Sequence, residues 1–306
     1  MAINQKSHTE NKAHDITFGI EIECTIPRDE WNNRPIGRYH RGIEIADAPA
    51  FIDENGVAHL WKAEKDSSIH TASPYRLCVE IVSPILKGAA GLQNVLDVID
   101  WLNSLSANVN RSTGLHVTVG FPVYNVKAMK RLITLTARHE DALFASTGTD
   151  RRENGRWCQP IKNAYRVLED GVLRNAYRQS RYYVLNLVHA FRGKNRVEFR
   201  CFAGTLNKDK MAGHIMTVLG IVELALTARR VAKWDNEPTE QKMFRYQRTN
   251  KGRGHKALFV LMKELRWVLL STDKAPAGQL VDNAARKRAE AKLFAMADKY
   301  DAASDN

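Results

Sequence analysis

Strict alternation of apolar and polar residues marks five segments of this chain as strands. In Gly19-Ile20-Glu21-Ile22-Glu23 the isoleucines and the following Cys24 share one face and the two glutamates share the other. Tyr75–Val82 sets Leu77, Val79 and Ile81 against Cys78, Glu80 and Val82. Leu115–Phe121 sets Leu115, Val117 and Val119 against His116 and Thr118. Arg181–His189 sets Tyr183, Leu185 and Leu187 against Tyr182, Val184 and Asn186, and Arg196–Phe202 sets Val197, Phe199 and Cys201 against Glu198 and Arg200. Ser83-Pro84 stops the second strand and Ser112-Thr113-Gly114 turns into the third. Arg192-Gly193-Lys194-Asn195 reads as a tight turn joining the last two in a hairpin.

Helical spacing appears between these strands. Leu92, Val95, Leu96, Ile99, Leu102 and Leu105 form one apolar stripe over residues 91–106. Asn125 can cap a helix running towards Phe144, and Asn207 can cap a longer one through Met211, Ile215, Val218, Val222 and Leu226. Further helices are expected over residues 255–271 and 282–302, the last highly charged and packed outside the core. Gly204-Thr205 ends a strand and leads into the next helix. Arg28–Asp53 reads as a long loop or insertion holding Trp31, Tyr39 and His40, and Ser146–Pro160 as a polar loop. Strands in hairpins and beside helices, without regular β-α-β repetition, predict an α+β fold with a mainly antiparallel sheet and helices on one face. The expected organisation is a flexible leader over residues 1–15, a catalytic domain over 16–235, and a helical C-terminal elaboration of that domain over 236–306.

Composition narrows the class. The 306 residues are 44% hydrophobic and 26% charged, as in globular proteins that stay in water. No apolar run is read as a membrane span, and the polar start lacks a signal-peptide core, so the expected compartment is the cytoplasm. Four scattered cysteines without metal-ligand spacing read as reduced thiols, with Cys24 and Cys201 on buried faces. The net charge of +12 fits a polyanionic partner or substrate, and equally a surface with excess lysine and arginine. Arg245 to Lys256 and Arg286 to Lys292 are its densest clusters, with Arg151-Arg152 a third.

The polar strand faces carry the chemistry. Glu21 and Glu23 stand about 6–7 Å apart along one strand. Like charges that close raise each other's pKa unless a cation lies between them, and Mg²⁺ is the hard cation that prefers such oxygens. If the five strands share a sheet, Glu80, His116, Asn186, Glu198 and Arg200 join the pair on one cleft face. Ordinary solvated faces mix Thr, Lys, Glu and Ser; lysine is absent from these positions and glutamate dominates. Each carboxylate alone reads as an exposed residue, and His116 alone as a structural histidine; the set reads as a metal site.

The words GIEIE, DSS followed by EIVSP, STGLHVTVG, RYYVLNL and VEFRCFAGTLN, in this order from about Phe18 to about Glu223, resemble the motif series of the amidoligase family. That family is related to glutamine synthetase and glutamate–cysteine ligase. The resemblance implies a curved antiparallel sheet of the glutamine synthetase kind and an ATP-dependent carboxylate–amine ligase. Such an enzyme forms an amide through an acyl phosphate, with Mg²⁺ (or Mn²⁺ in its place) on the ATP phosphates. Carried residue by residue, it makes Glu21, Glu23, Glu80 and Glu198 metal ligands. His116 falls near metal and phosphates, and Arg200 on the transferring phosphoryl group. Arg152, Arg181 and Asn186 become nucleotide or substrate contacts, and Asp66 and Ser67 match the DxS word. Catalysis falls to Arg200, His116 and Glu198. The substrates are a small or peptidic carboxylate and an amine, the acceptor anionic or related to nucleic acid. Thr118 departs from the family, which often has a second histidine there, so the histidine-dependent step stays open.

Other classes are weighed against this one. Strand carboxylates with excess positive charge also suit a nucleic-acid-binding protein with metal-dependent nuclease activity, though no lysine stands near the paired acids. A silent relative serving as a binding module would have no reason to keep all four glutamates and Arg200. Arg138-His139-Glu140-Asp141 lacks the second histidine of a zinc motif, and no P-loop or GxGxxG is present, so nucleotide would bind in the sheet cleft. Neither the acid, the amine nor the oligomeric state is written in the sequence.

Overall fold

The computed structural model describes residues 12–161, 180–228, 251–267 and 277–304. Residues 1–11 of the expected leader, the boundary at 235/236 and residues 245–250 of the basic cluster lie outside these. In chain order the elements are β1 (Thr17–Pro27), α1 (Arg28–Trp31), β2 (Ile43–Glu44), β3 (Phe51–Ile52), β4 (Ala58–His59), β5 (Lys62–Glu64), β6 (Arg76–Val82) and β7 (Leu86–Lys87). They continue with α2 (Gly88–Ser104), β8 (Gly114–Gly120), α3 (Val126–Ala145), β9 (Leu185–Asn186), α4 (Val188–Phe191), β10 (Arg196–Ala203), α5 (Lys208–Thr227), α6 (Arg253–Glu264) and α7 (Asn283–Ser304).

β1 is the spine of an eight-stranded sheet ordered β2-β5-β6-β1-β8-β10-β9, with β7 also pairing β1. Each of these ladders is antiparallel. The fold is therefore α+β with an antiparallel sheet and helices. Alternation decides the two faces: Ile20, Ile22, Cys24 and Ile26 of β1 are fully buried with Val79, Ile81, Leu115, Val117, Val197 and Phe199 in one continuous core. At roughly 1.5–3 kcal/mol for each large apolar side chain buried, this face fixes the register.

Helices α2, α3 and α5 complete that core, and α6 and α7 pack against α3 and α5. Asn125 and Asn207 cap their helices as expected, accepting hydrogen bonds from Ala128 N and Lys210 N. α5 is long and apolar enough to cross a membrane by composition, contrary to the expectation of no such run, but 83% of that stretch is buried within the protein. Its apolar surface all round reflects a central position rather than one packed face.

Three expectations are corrected. The fourth strand is two residues long, because Asn186 Oδ1 accepts from Val188 N and turns the chain into α4. β9 and β10 remain antiparallel neighbours, but the connection runs from Leu187 to Asn195. The charged last helix buries Ala289, Leu293 and Ala297, so it belongs to the helical layer rather than lying outside the core. Lys12–Asp15, placed in a flexible leader, are tied down where they are described: Lys12 Nζ and Ala13 N both bond Glu223.

Candidate active site

The cleft face of the sheet is set by register. Glu80 of β6 stands opposite Glu23 of β1, and Glu21 opposite His116 of β8. Opposite residues of an antiparallel pair put their side chains on the same face, about 5 Å apart at Cβ. Glu198 on β10 faces Thr118 on one side and Asn186 on the other. Glu21, Glu23, Glu80, His116, Asn186, Glu198 and Arg200 thus come together as their parity predicts.

Arg200 keeps its alternating place on the cleft side, at a bulge that re-aims the residues after it. Phe199 pairs with Val117 and Phe202 with Leu115, so Arg200 and Cys201 together oppose the single residue His116. A bulge of this kind re-aims a side chain while both neighbours stay paired. Cys201 and Phe202 go into the core, and Arg200 is left on the cleft side, its Nη1 2.5 Å from Glu198 Oε1. Arg152 Nη2 binds the Arg200 carbonyl at 2.7 Å. The Arg152 guanidinium lies directly over Gly114, where a Cβ would come within 2.9 Å of it. A side chain there would push the guanidinium aside, and the Gly114 amide donates to Glu23.

Polar partners then fix each group. Asn186 Nδ2 donates to Glu198 Oε2 at 2.6 Å. His116 Nδ1 lies 3.0 Å from Glu21 Oε2 and 3.6 Å from Glu198 Oε1, and its Nε2 lies 3.7 Å from Glu23 Oε1. Burial, with the nearby Arg200 charge, pulls the imidazole pKa down to about 4 despite those carboxylates, so His116 is neutral at pH 7. Burial also raises Glu21, although Arg200 opposes the shift. Glu80 is pushed furthest, up to about 10, first by burial and then by Glu21, Glu23, Asp66 and Glu64. It has neither a hydrogen-bond donor nor a cation beside it among the described residues.

Such a carboxylate asks for a positive charge. Ligand atoms of Glu21, Glu80 and His116 lie within 4.8 Å of one another, as do those of Glu23, Asp66 and Glu80. Glu80 is common to both groups, so two candidate cation positions would share it. These are hard oxygen donors with one imidazole, a set that suits Mg²⁺ or Mn²⁺. Glu198 is held instead by Arg200 and Asn186 and belongs to neither group. Beside the acids, the Nε atoms of Arg152 and Arg200 are buried without a partner, so each guanidinium keeps one unsatisfied donor.

The cleft above measures about 610 Å³. Its walls include Asp66, Ser67, Arg181 and Cys158, and Arg181 sits over the Tyr39 and Tyr182 rings, 5.8 and 5.4 Å from their centres. Arg138-His139-Glu140 is structural: Arg138 and His139 bind Glu264, and Glu140 accepts the Ile161 amide. Gly204 and Thr205 also serve the backbone, through Thr113 and Asn207. Sequence reasoning missed Glu64. It stands opposite Glu80 on β5, is buried, and accepts the His40 amide. Its strand is three residues long, too short for alternation to show. It also missed Arg111, Arg156 and Trp157 as cleft residues, since they come from loops without periodicity.

An antiparallel sheet presenting a carboxylate cluster and half-buried arginines to one cleft defines an enzyme-like α+β protein with a candidate metal site. Residues 14–222, well over half of the chain, match the family described as "Putative amidoligase enzyme", and the chain belongs to that family. Comparison with curated proteins gave no match.

Proposed function

We propose that this protein is an ATP- and Mg²⁺-dependent carboxylate–amine ligase, working on a sheet of the glutamine synthetase kind. The observation that carries the reading is Glu80: a buried carboxylic group among four other acids, with no cation beside it among the described residues, in a cleft that Arg152 and Arg200 also line. Glu21, Glu23, Glu80, Asp66 and His116 would hold the metal. Bound there, Mg²⁺ supplies charge neutralisation for the phosphates of ATP.

The chain's own residues do the rest. Arg200 and Arg152 present guanidinium donors to the γ-phosphoryl group and stabilise the charge that develops on it. Glu198 and Asn186 hold Arg200 on its bulge. A carboxylate oxygen of the acid substrate attacks the γ-phosphorus and ADP leaves. The amine nitrogen then attacks the acyl carbon, phosphate departs, and the amine proton passes to a neutral base. His116, kept neutral by its burial, gives its imidazole nitrogen to the metal and does not take that proton. Trp157 and the loop around it shield the acyl phosphate from water.

Hydroxylamine tests the reading. With ATP, Mg²⁺ and a panel of carboxylic acids, hydroxylamine should trap an acyl hydroxamate with one ADP released per trap. Metal-dependent DNA or RNA cleavage without ATP, and no nucleotide binding by calorimetry, would replace it with the nuclease reading.

A further inference from the structure

Both signs of charge line the cleft. The acids that surround Glu80 come from the sheet and the segment before β6, and the loops add arginine: Arg111 from the turn before β8, and Arg151 and Arg156 from the loop after α3. No lysine lines it. All three arginines are exposed, and among the described residues no carboxylate or carbonyl partners their guanidinium groups. Three unpaired guanidinium groups converging on one cavity are a cost in mutual repulsion unless an anion offsets it.

The aromatic side chains sharpen this. The Arg156 guanidinium lies 4.2 Å from the centre of the Trp157 ring, and Trp157 meets Tyr182 edge-on at 4.9 Å. Stacking occupies the flat face of a guanidinium and leaves its N–H edge free, the geometry for bidentate capture of a carboxylate. Trp157 is 40% exposed although it is large and apolar, so the platform faces the cleft rather than the core.

We infer that this rim binds the non-reacting carboxylates of an oligocarboxylate acid substrate, such as an acidic peptide, so that the acid is held by the end remote from the acyl group. The inference rests on the ligase reading for the identity of the reacting group. The binding itself does not require turnover. The acids around Glu80 repel further carboxylates, so the non-reacting ones are left to the arginines of the rim and the anion is held in one orientation.

Calorimetry on the full-length protein separates the two ideas. Triglutamate should bind without ATP or Mg²⁺, more weakly as salt is raised, and the corresponding triglutamine should not. R111Q/R156Q should weaken triglutamate at least tenfold while leaving Mg²⁺·ATP affinity unchanged, and R156K should restore only part of the loss. Equal triglutamate affinity in wild type and R111Q/R156Q, or no binding to wild type, overturns the inference. So does rim-dependent binding of pyrophosphate with triglutamate silent, which would assign the rim to phosphate. Failure of Mg²⁺·ATP to bind, with rim-dependent triglutamate binding intact, counts against the ligase reading alone and supports the rim.

Discussion

Two glutamates are buried to nearly the same extent in opposite layers of this protein, and they do opposite things. Glu223, on α5, is 5% exposed and accepts three donors: Lys12 Nζ at 3.0 Å, and the amides of Ala13 and Ala277 at 3.1 Å. Glu80, on β6, is 3% exposed, has no donor among the described residues, and is ringed by Glu21, Glu23, Glu64 and Asp66. Burial is therefore no sign of function. A satisfied buried carboxylate holds a fold together, and an unsatisfied one surrounded by its own kind marks where something is meant to bind.

The sharpest way to break this comparison is to mutate both residues. Glu80→Gln should lower ligase turnover by about 10²- to 10³-fold, the scale of losing one preorganised charge contact. Metal-free, it should unfold at the same temperature as wild type or higher, because the folded protein no longer has to take up a proton at that buried position. Glu223→Ala should do the reverse, costing about 3 kcal/mol in urea unfolding because it strands a charged and two amide donors, while turnover per folded molecule is kept. Matching losses of both properties in both variants would erase the distinction.

A pH series is gentler. The folded protein holds the Glu80 proton up to about pH 10, whereas the unfolded chain gives it up near 4.5. Across that window the unfolded state binds fewer protons, so this group makes metal-free stability fall as pH rises. Urea titrations from pH 5 to 9 should show the slope in wild type and a shallower one in Glu80→Gln. Mg²⁺ binding should release protons and strengthen with pH. A slope unchanged by the substitution would mean that Glu80 is already ionised.

The smallest effect concerns the loop that carries the rim. Tyr300 on α7 donates to Glu153, and Gly148 of the same loop packs on Met296. Tyr300→Phe should cost about 1 kcal/mol and raise KM for the acid a few-fold, leaving kcat and ATP affinity alone. A change in kcat instead would place the tie on the chemistry.

Much of this was legible in the chain. Period-two alternation over β1, β6, β8 and β10 placed the core, and the same alternation put Glu21, Glu23, Glu80, His116, Glu198 and Arg200 on one face. What was not legible depends on neighbours in space. The bulge that sends both Cys201 and Phe202 into the core exists only because two residues of β10 oppose one of β8, a matter of cross-strand register. Glu64 joins the cluster through a three-residue strand, and the arginine rim through loops, where local periodicity carries no signal. Asn186 shortened its own strand by a side-chain bond that alternation does not reveal.

Glu223 has one more consequence. Its Oε2 takes the amides of both Ala13 and Ala277 while its Oε1 takes Lys12, so it fastens segments far apart in the sequence at a single point. Contacts so distant along a chain close late in folding, after the loops between them have been ordered. The fastening then acts on how slowly the finished protein comes apart more than on how fast it assembles. The family match ends at residue 222, one position short of this carboxylate. A fragment cut at that edge would keep every acid of the cleft and lose the clasp that keeps the whole closed.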